Sequence, residues 1–255
     1  MRDEDNNLSA LQELIRSGEF RNSQELGKKT EGRVFDKRTL LHIYHLMKSL
    51  EISTIDFPIA SGKESVVFRA RMGKTNIAIK IYKMSTLKFN RVEQYISGDP
   101  RFEKERRDRS RIVYLWAKKE FANLTDLHSA GISAPAPIAL KGNVLVMKYI
   151  GTGPSPAPLL KQYNPDPEDT YRQVRTILRD MYVKAKLVHA DFSEYNLLYH
   201  RKKVFVIDVG QSVSLKHPGS LEFLKRDVKN ITSYFMRMGV SASEDELLNF
   251  VIKNE

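Results

Sequence analysis

The chain has 255 residues, 41% of them hydrophobic, with no cysteine and a formal net charge of +11. The apolar fraction is enough for a real core, and the missing cysteines exclude a disulfide frame and a thiolate metal site. Forty-two basic against 31 acidic residues favour a polyanionic partner, held through phosphate contacts and counterion release. The opening MRDEDNNLSALQ lacks the basic and apolar regions of a secretory leader, and no apolar run approaches the roughly 18 to 20 residues that span a bilayer. The expectation is a cytoplasmic protein in a reducing compartment, without a membrane partner.

In chain order, residues 4–17 and 37–50 have helical spacing, as in Leu40, Ile43, Tyr44, Met47 and Leu50, and a Gly/Lys-rich stretch from Ser23 to Gly32 separates them. These form an expected helical extension over 1–51. From Ile52 the period changes to two. SVVFRARM (65–72), a turn at Gly73 and NIAIKIY (76–82) predict antiparallel strands. After Lys83 the chain is polar, and RFEKERRDRSR (101–111) carries six basic and three acidic side chains, so a mobile basic loop is expected over 84–110.

A long helix is predicted from about Ser110 to Ala130, stopped by Gly131, with Val113, Trp116, Ala117, Leu124 and Leu127 on its apolar stripe and Glu120 on the same stripe. Strands near 138–140 and 144–149 flank a Lys-Gly-Asn turn. GTGPSPAP (151–158) then breaks the pattern, and half of the ten prolines lie between Pro154 and Pro167. The lobe boundary falls there, giving an N-lobe over 52–150 and a C-lobe over 151–255. Helices are expected over 169–186, 219–238 and 243–253, with LVHADFSEYNLLYHRKKVFVID (187–208) between the first two.

That stretch carries the chemistry. Asp191 and Asn196 are five apart, and Asp208 comes twelve later at the end of VFVID, in the order of the protein-kinase catalytic aspartate, its metal-binding asparagine and the second metal-binding aspartate. Asn196 and Asp208 offer the hard oxygens that Mg²⁺ prefers, leaving Asp191 to orient or deprotonate an attacking hydroxyl or water. Upstream, Lys80 in IAIK fits the strand lysine that reaches the α- and β-phosphates. A strand lysine facing inward and Glu120 on an apolar stripe each cost desolvation alone, and pairing solves both. ASGKESVVF (60–68) is neither G-x-G-x-x-G nor a Walker A element, since position 57 is Phe. Its hairpin nonetheless suits phosphate, with Gly62 allowing close backbone approach and Lys63 and Ser65 adding donors. His189 reads as a buried hydrogen-bonding residue and Trp116 as core. Ser97 and Ser110, in or beside the basic loop, are the serines open to autophosphorylation.

SGKESVVFRA, AIKIYK, YISGDPRF, LVMKYIG, LVHADFSEYN and FVIDVGQSV together resemble the RIO family of atypical serine/threonine protein kinases, and most closely its type 1 branch, over about residues 50–240. The resemblance implies an α+β, reduced two-lobed protein-kinase-like fold, with an antiparallel-sheet N-lobe and a mostly helical C-lobe. It implies ATP with Mg²⁺ (or Mn²⁺) as cofactors. It carries the phosphate-contacting lysine to Lys80, its carboxylate partner to Glu120, the base to Asp191 and the metal ligands to Asn196 and Asp208, with Asp208 also a phosphoryl acceptor. Nucleotide contacts fall on Ser61, Gly62, Lys63, Glu64 and Ser65, and on the backbone at Met147, Lys148 and Ile150. The implied partner is the pre-ribosomal small subunit, rRNA and protein, with no DNA expected.

Ser193 stands where ordinary kinases often place a lysine, which favours ATP hydrolysis over transfer to a protein hydroxyl. Only 47 residues lie beyond Asp208 and no A-P-E element appears, so an activation loop and a peptide-docking subdomain do not fit. Two other classes stay open. A small-molecule phosphotransferase of the same core would need an acidic C-terminal pocket, for which few residues offer themselves. A non-enzymatic RNA-binding assembly factor is disfavoured by the intact Lys80, Glu120, Asp191, Asn196 and Asp208.

Overall fold

The structure, a computed structural model, describes residues 36–84, 89–102 and 111–253. The expected helix at 4–17, Arg106, Arg107 and Ser110 lie outside the described residues. The chain divides into two compact units, one of Met1–Lys88, Asp108–Lys118 and Pro137–Tyr149, the other of Phe89–Arg107, Lys119–Ala136 and Ile150–Glu255.

The first unit is built on a five-stranded antiparallel sheet in the order β1-β2-β3-β5-β4, from β1 (Ile52–Ser61), β2 (Ser65–Met72), β3 (Thr75–Tyr82), β4 (Pro137–Lys141) and β5 (Val144–Lys148). Helix α1 (Lys37–Ser49) starts where the Asp36 side chain accepts a hydrogen bond from the Thr39 N–H at 2.7 Å, an N-cap that satisfies one orphan donor. Period-two alternation sends Val66, Phe68 and Ala70 of β2 and Ile77, Ile79 and Ile81 of β3 into one core with Ile43 and Leu46 of α1. Lys80 is on the other face of β3, opposite Val67 and Leu145.

The Lys-Gly-Asn turn between β4 and β5 docks α1. Asn143 is fully buried, donating to the Thr39 hydroxyl and the Tyr82 carbonyl at 2.8 Å each while its Oδ1 meets His42 Nδ1 at 3.0 Å. Gly142 has φ +56°, and a Cβ there would come within 2.0 Å of the His42 ring, so only glycine lets this turn close.

In the second unit, part of the stretch read as polar loop is ordered: α2 (Phe89–Ile96) buries Val92, Tyr95 and Ile96, and Phe102 beyond it is buried too. These apolar residues at i, i+3 and i+4 are a helical signal that the surrounding charge obscures. The long helix α3 (Ile112–Ser129), which belongs to this unit from Lys119 on, stops as expected. Gly131 is left-handed at φ +71°, its N–H bonds to the His128 carbonyl, and the Ile132 N–H bonds to that of Leu127, a Schellman ending.

The short pair β6 (Gly151–Thr152) and β7 (Ser155–Pro156) leads to α4 (Pro167–Val183), capped by Asp166. Then come β8 (Leu187–Val188), the hairpin β9 (Leu197–His200) and β10 (Lys203–Val206), a 3-10 turn at Val209–Gln211, and β11 (Val213–Ser214) antiparallel to β8. Helices α5 (Ser220–Arg237) and α6 (Glu244–Ile252) close the unit, with α6 packed on α4 and α5. Residues 209–219 are all that separate Asp208 from α5, so there is no long activation loop.

Candidate active site

The segment between β8 and β9 is a loop over-determined by buried polar groups. Ala190, with φ +66°, is fully buried, and the residues bracketing Asp191 are held by one side chain: Asp227 of α5 accepts from the Ala190 N–H at 2.7 Å and the Phe192 N–H at 2.9 Å. The Arg226 guanidinium donates to the Ala190 carbonyl. Both peptide ends of Asp191 are thus fixed from α5, which aims its side chain without using it. Burial pushes the Asp227 carboxyl up to about 7, against the two N–H bonds and Arg226, which favour its ionised form.

Asn196 turns back on the same residue. Its Nδ2 donates to the Asp191 carbonyl at 2.8 Å and reaches Asp191 Oδ2 at 3.4 Å. With its N–H₂ engaged, the amide oxygen is the end left for a metal. Its backbone carbonyl accepts from the Ile207 N–H at 2.9 Å, tying the loop to the residue before Asp208. The five-residue and twelve-residue spacings therefore have a physical origin: a turn from Asp191 to Asn196, then a hairpin out and back to Asp208.

Asp208 is exposed and left-handed, at φ 59° and ψ 48°, a backbone region that costs an L-residue strain and that aspartate tolerates better than most. The turn after Asp208 is clamped from α3. Lys119, fully buried, donates to the carbonyls of Gly210 (3.2 Å) and Ser212, and Asn123 Nδ2 donates to those of Val209 (2.7 Å) and Ser212 (3.1 Å). Burial, aided by Arg101, lowers the Lys119 ammonium to about 7. Gln211, inside this turn, donates from Nε2 to Asp191 Oδ2 at 3.0 Å. Both side-chain contacts of Asp191 fall on Oδ2.

His189 is fully buried and its Nε2 lies 3.1 Å from the Ile207 carbonyl. A carbonyl only accepts, so Nε2 carries the proton, and burial holds the imidazole below its usual range. It is a hydrogen-bonding residue of the interior, as the sequence suggests. Glu194 is buried as well, accepting from Arg237 at 3.4 Å, and belongs to the scaffold.

In the sheet unit, Lys80 is 5% exposed with its Nζ 5.2 Å from the centre of the Tyr82 ring. The β1–β2 tip holds Ser61, Gly62, Lys63, Glu64 and Ser65. It is closed by the Gly62 N–H on the Ser65 carbonyl (2.9 Å), the Lys83 N–H on the Glu64 carbonyl (2.8 Å) and Lys83 Nζ on the Gly62 carbonyl (2.6 Å). A Cβ on Gly62 would meet only the Ser65 carbonyl at 3.8 Å, so the space above that peptide is open. Met147 and Lys148 end β5 in this unit; Ile150 and Glu120 belong to the other.

Sequence reasoning missed Asp227, Lys119, Asn123 and Gln211. The signal for Asp227 was legible, a carboxylate on the stripe of Leu224, Val228 and Ile231. For Lys119, next to the singled-out Glu120, nothing local marks the more deeply buried of two adjacent lysines.

The fold and this loop, with only a short segment after Asp208, define a kinase-like protein. The family described as "RIO domain" matches residues 66–247. The chain belongs to the RIO family of atypical serine/threonine protein kinases. It is 41% identical over 229 residues to the RIO-type serine/threonine-protein kinase Rio1 of Haloferax volcanii (89% of this chain, 79% of that one). With Rio1 of Thermoplasma acidophilum the identity is 47% over 188 residues (74% and 100%). The serine/threonine-protein kinase RIO3 of Mus musculus also matches, at 38%, though the chain spans only 51% of it. In fold it is similar to the Rio2 kinase-ADP/Mg²⁺-phosphoaspartate complex from Chaetomium thermophilum, with a TM-score of 0.64 at 23% identity, over 85% of this chain and 67% of that one. Among the described residues no helix is long and apolar enough to cross a membrane.

Proposed function

We propose that this protein is an ATP- and Mg²⁺-dependent (or Mn²⁺-dependent) kinase and ATPase that autophosphorylates and acts, in the cytoplasm, on the maturing small ribosomal subunit. The observation that carries the reading is the fixing of Asp191. Its peptide ends are held by Asp227 and Arg226, and Oδ2 is held by Gln211, so Oδ1 is the oxygen that meets the attacking hydroxyl or water. Asn196, its amide orientation set by Asp191, and the exposed Asp208 suit a hard cation that also takes oxygens from phosphates. Mg²⁺ bound there supplies neutralisation of phosphate charge.

Lys80 is the proposed phosphate-contacting cation, with Glu120 as its carboxylate partner. Ser61, Gly62, Lys63, Glu64 and Ser65 meet the phosphates, and the backbone at Met147, Lys148 and Ile150 meets adenine. The open space above Gly62 supports the first of these. Asp208 is also the proposed acceptor: a carboxylate oxygen bonds the γ-phosphorus as the bond to the ADP oxygen breaks, and water later cleaves the acyl phosphate. Support comes from its exposure and from the phosphoaspartate in the Chaetomium thermophilum Rio2 complex. The test is single turnover with γ-labelled ATP and Mg²⁺. Hydroxylamine-labile label that is absent in Asp208→Ala supports the acyl phosphate. Stable phosphoserine dependent on Asp191 replaces it with direct kinase transfer, and no turnover overturns the catalytic reading.

A further inference from the structure

The β9–β10 hairpin has a tip at odds with its local sequence rules. Its two turn residues, Arg201 and Lys202, are both left-handed, at φ 49° and 61°, between the paired His200 and Lys203. Two-residue hairpins with both turn residues left-handed are ordinarily filled by Asn-Gly or Asp-Gly, because β-carbons are strained there. This chain instead puts two long cations at the tip, with exposed Lys203 beside them.

Beneath the tip is an open groove of about 730 Å³ lined by Tyr163, Tyr199, His200, Arg201, Lys202 and the helix-capping Asp166, among others. Tyr163 is 53% exposed, and its ring lies 5.8 Å from that of Tyr199, tilted by 58°. The acids at the groove are already engaged. Asp166 caps α4 through the Asp169 N–H at 3.0 Å, and Asp169 accepts from Gln173 at 2.7 Å and Arg172 at 3.1 Å, with Lys202 close enough to help hold it ionised. Arg172 pairs with Asp169 on the α4 side of the groove, and the cations Arg201 and Lys202 stand on its hairpin side.

We infer that this groove is a binding site for single-stranded RNA, with phosphates on Arg201 and Lys202 and an unstacked base on the Tyr163 ring. Exposed rings beside cations are what a single strand uses, since every base has a face to stack and every linkage a charge. An acidic peptide would use the cations and leave the rings idle. A duplex hides its base faces. The inference rests on the RNA-particle reading above for the identity of the polyanion and goes beyond it in placing the contact away from Asp191 and Asp208.

The experiment uses the full chain and a labelled mixed-sequence 12-nucleotide RNA, with binding read by anisotropy across a salt series. In Arg201→Asn/Lys202→Gly the turn gains the residues it prefers, so the melting temperature holds or rises while affinity falls at least about tenfold and the log–log salt slope shrinks by about 1.4. Tyr163→Ala lowers affinity at least about fivefold without changing the slope. ATP turnover is unchanged in both. If the wild type binds RNA and neither variant weakens it, the inference fails and the RNA-partner reading survives. If the wild type binds no RNA, both fail. Polyglutamate displacing the RNA at equal charge would make this an acidic-protein site and overturn the inference.

Discussion

The two loops proposed to face the nucleotide are built on opposite plans. The Asp191 loop is held from α5 by the buried Asp227 and by Arg226, and the turn after Asp208 from α3 by the buried Lys119 and Asn123, each spent on backbone groups. The β1–β2 tip is exposed at Ser61, Gly62 and Lys63 and is closed by three hydrogen bonds within itself and to Lys83. Each kind of order answers a different need. A reacting carboxylate must be aimed in advance, because misplacement costs rate directly. A loop that covers phosphates can be ordered by the phosphates themselves.

The largest effect is expected at the carboxylate. Asp191→Asn keeps the shape of the loop, so melting is expected within a degree or two of wild type while single-turnover ATP cleavage falls by about 10² to 10⁴. A large stability loss would mean that Asp191 belongs to the scaffold. Next comes Asp227→Ala, which strands two buried N–H groups; unfolding free energy is expected to fall by about 2 to 5 kcal/mol in urea titrations, with turnover lost alongside. Substituting both acids should be no worse for turnover than Asp191→Asn alone, since Asp227 acts through the other residue.

Acidity sharpens the contrast. Because burial raises the Asp227 carboxyl from 3.8 to about 7, its contribution to stability is full below about pH 4 and is lost as pH rises through about 7. Lys119 runs the other way. With its ammonium lowered from 10.5 to about 7, its contribution is present above about pH 10.5 and is lost as pH falls through about 7. Wild type compared with Lys119→Met in thermal melts should therefore gain relative stability from pH 7 to 9, and a flat difference would remove the buried lysine from the clamp. The smallest effect is expected at the other loop: Gly62→Ala meets nothing closer than 3.8 Å, so melting should shift by under about 0.5 kcal/mol in stability terms while ATP affinity weakens. A Gly62→Ala variant with unchanged ATP affinity would take the tip out of phosphate contact.

Much of this was legible along the chain. Period two marked β2 and β3, helical spacing marked α1, α3, α4 and α5, and the order of Asp191, Asn196 and Asp208 singled out the loop that the structure ties together through Asn196 and Ile207. Helix α2 was hidden because its three core residues sit among charges, and periodicity weighs both alike. Local sequence also set the polar pattern of the Lys-Gly-Asn turn, though not that Asn143 would bind Thr39 and His42, a hundred residues away.

By itself, then, the sequence determined most of the elements, the family and the order of the residues proposed to carry chemistry, because backbone preference, alternation and motif spacing are properties of neighbours. Tertiary structure alone decided which of two adjacent lysines is buried, which carboxylate aims another, and that a pair of cations sits at a hairpin tip above two tyrosine rings. Those depend on which distant backbone groups lack partners once water is excluded, and no window of local sequence contains that information.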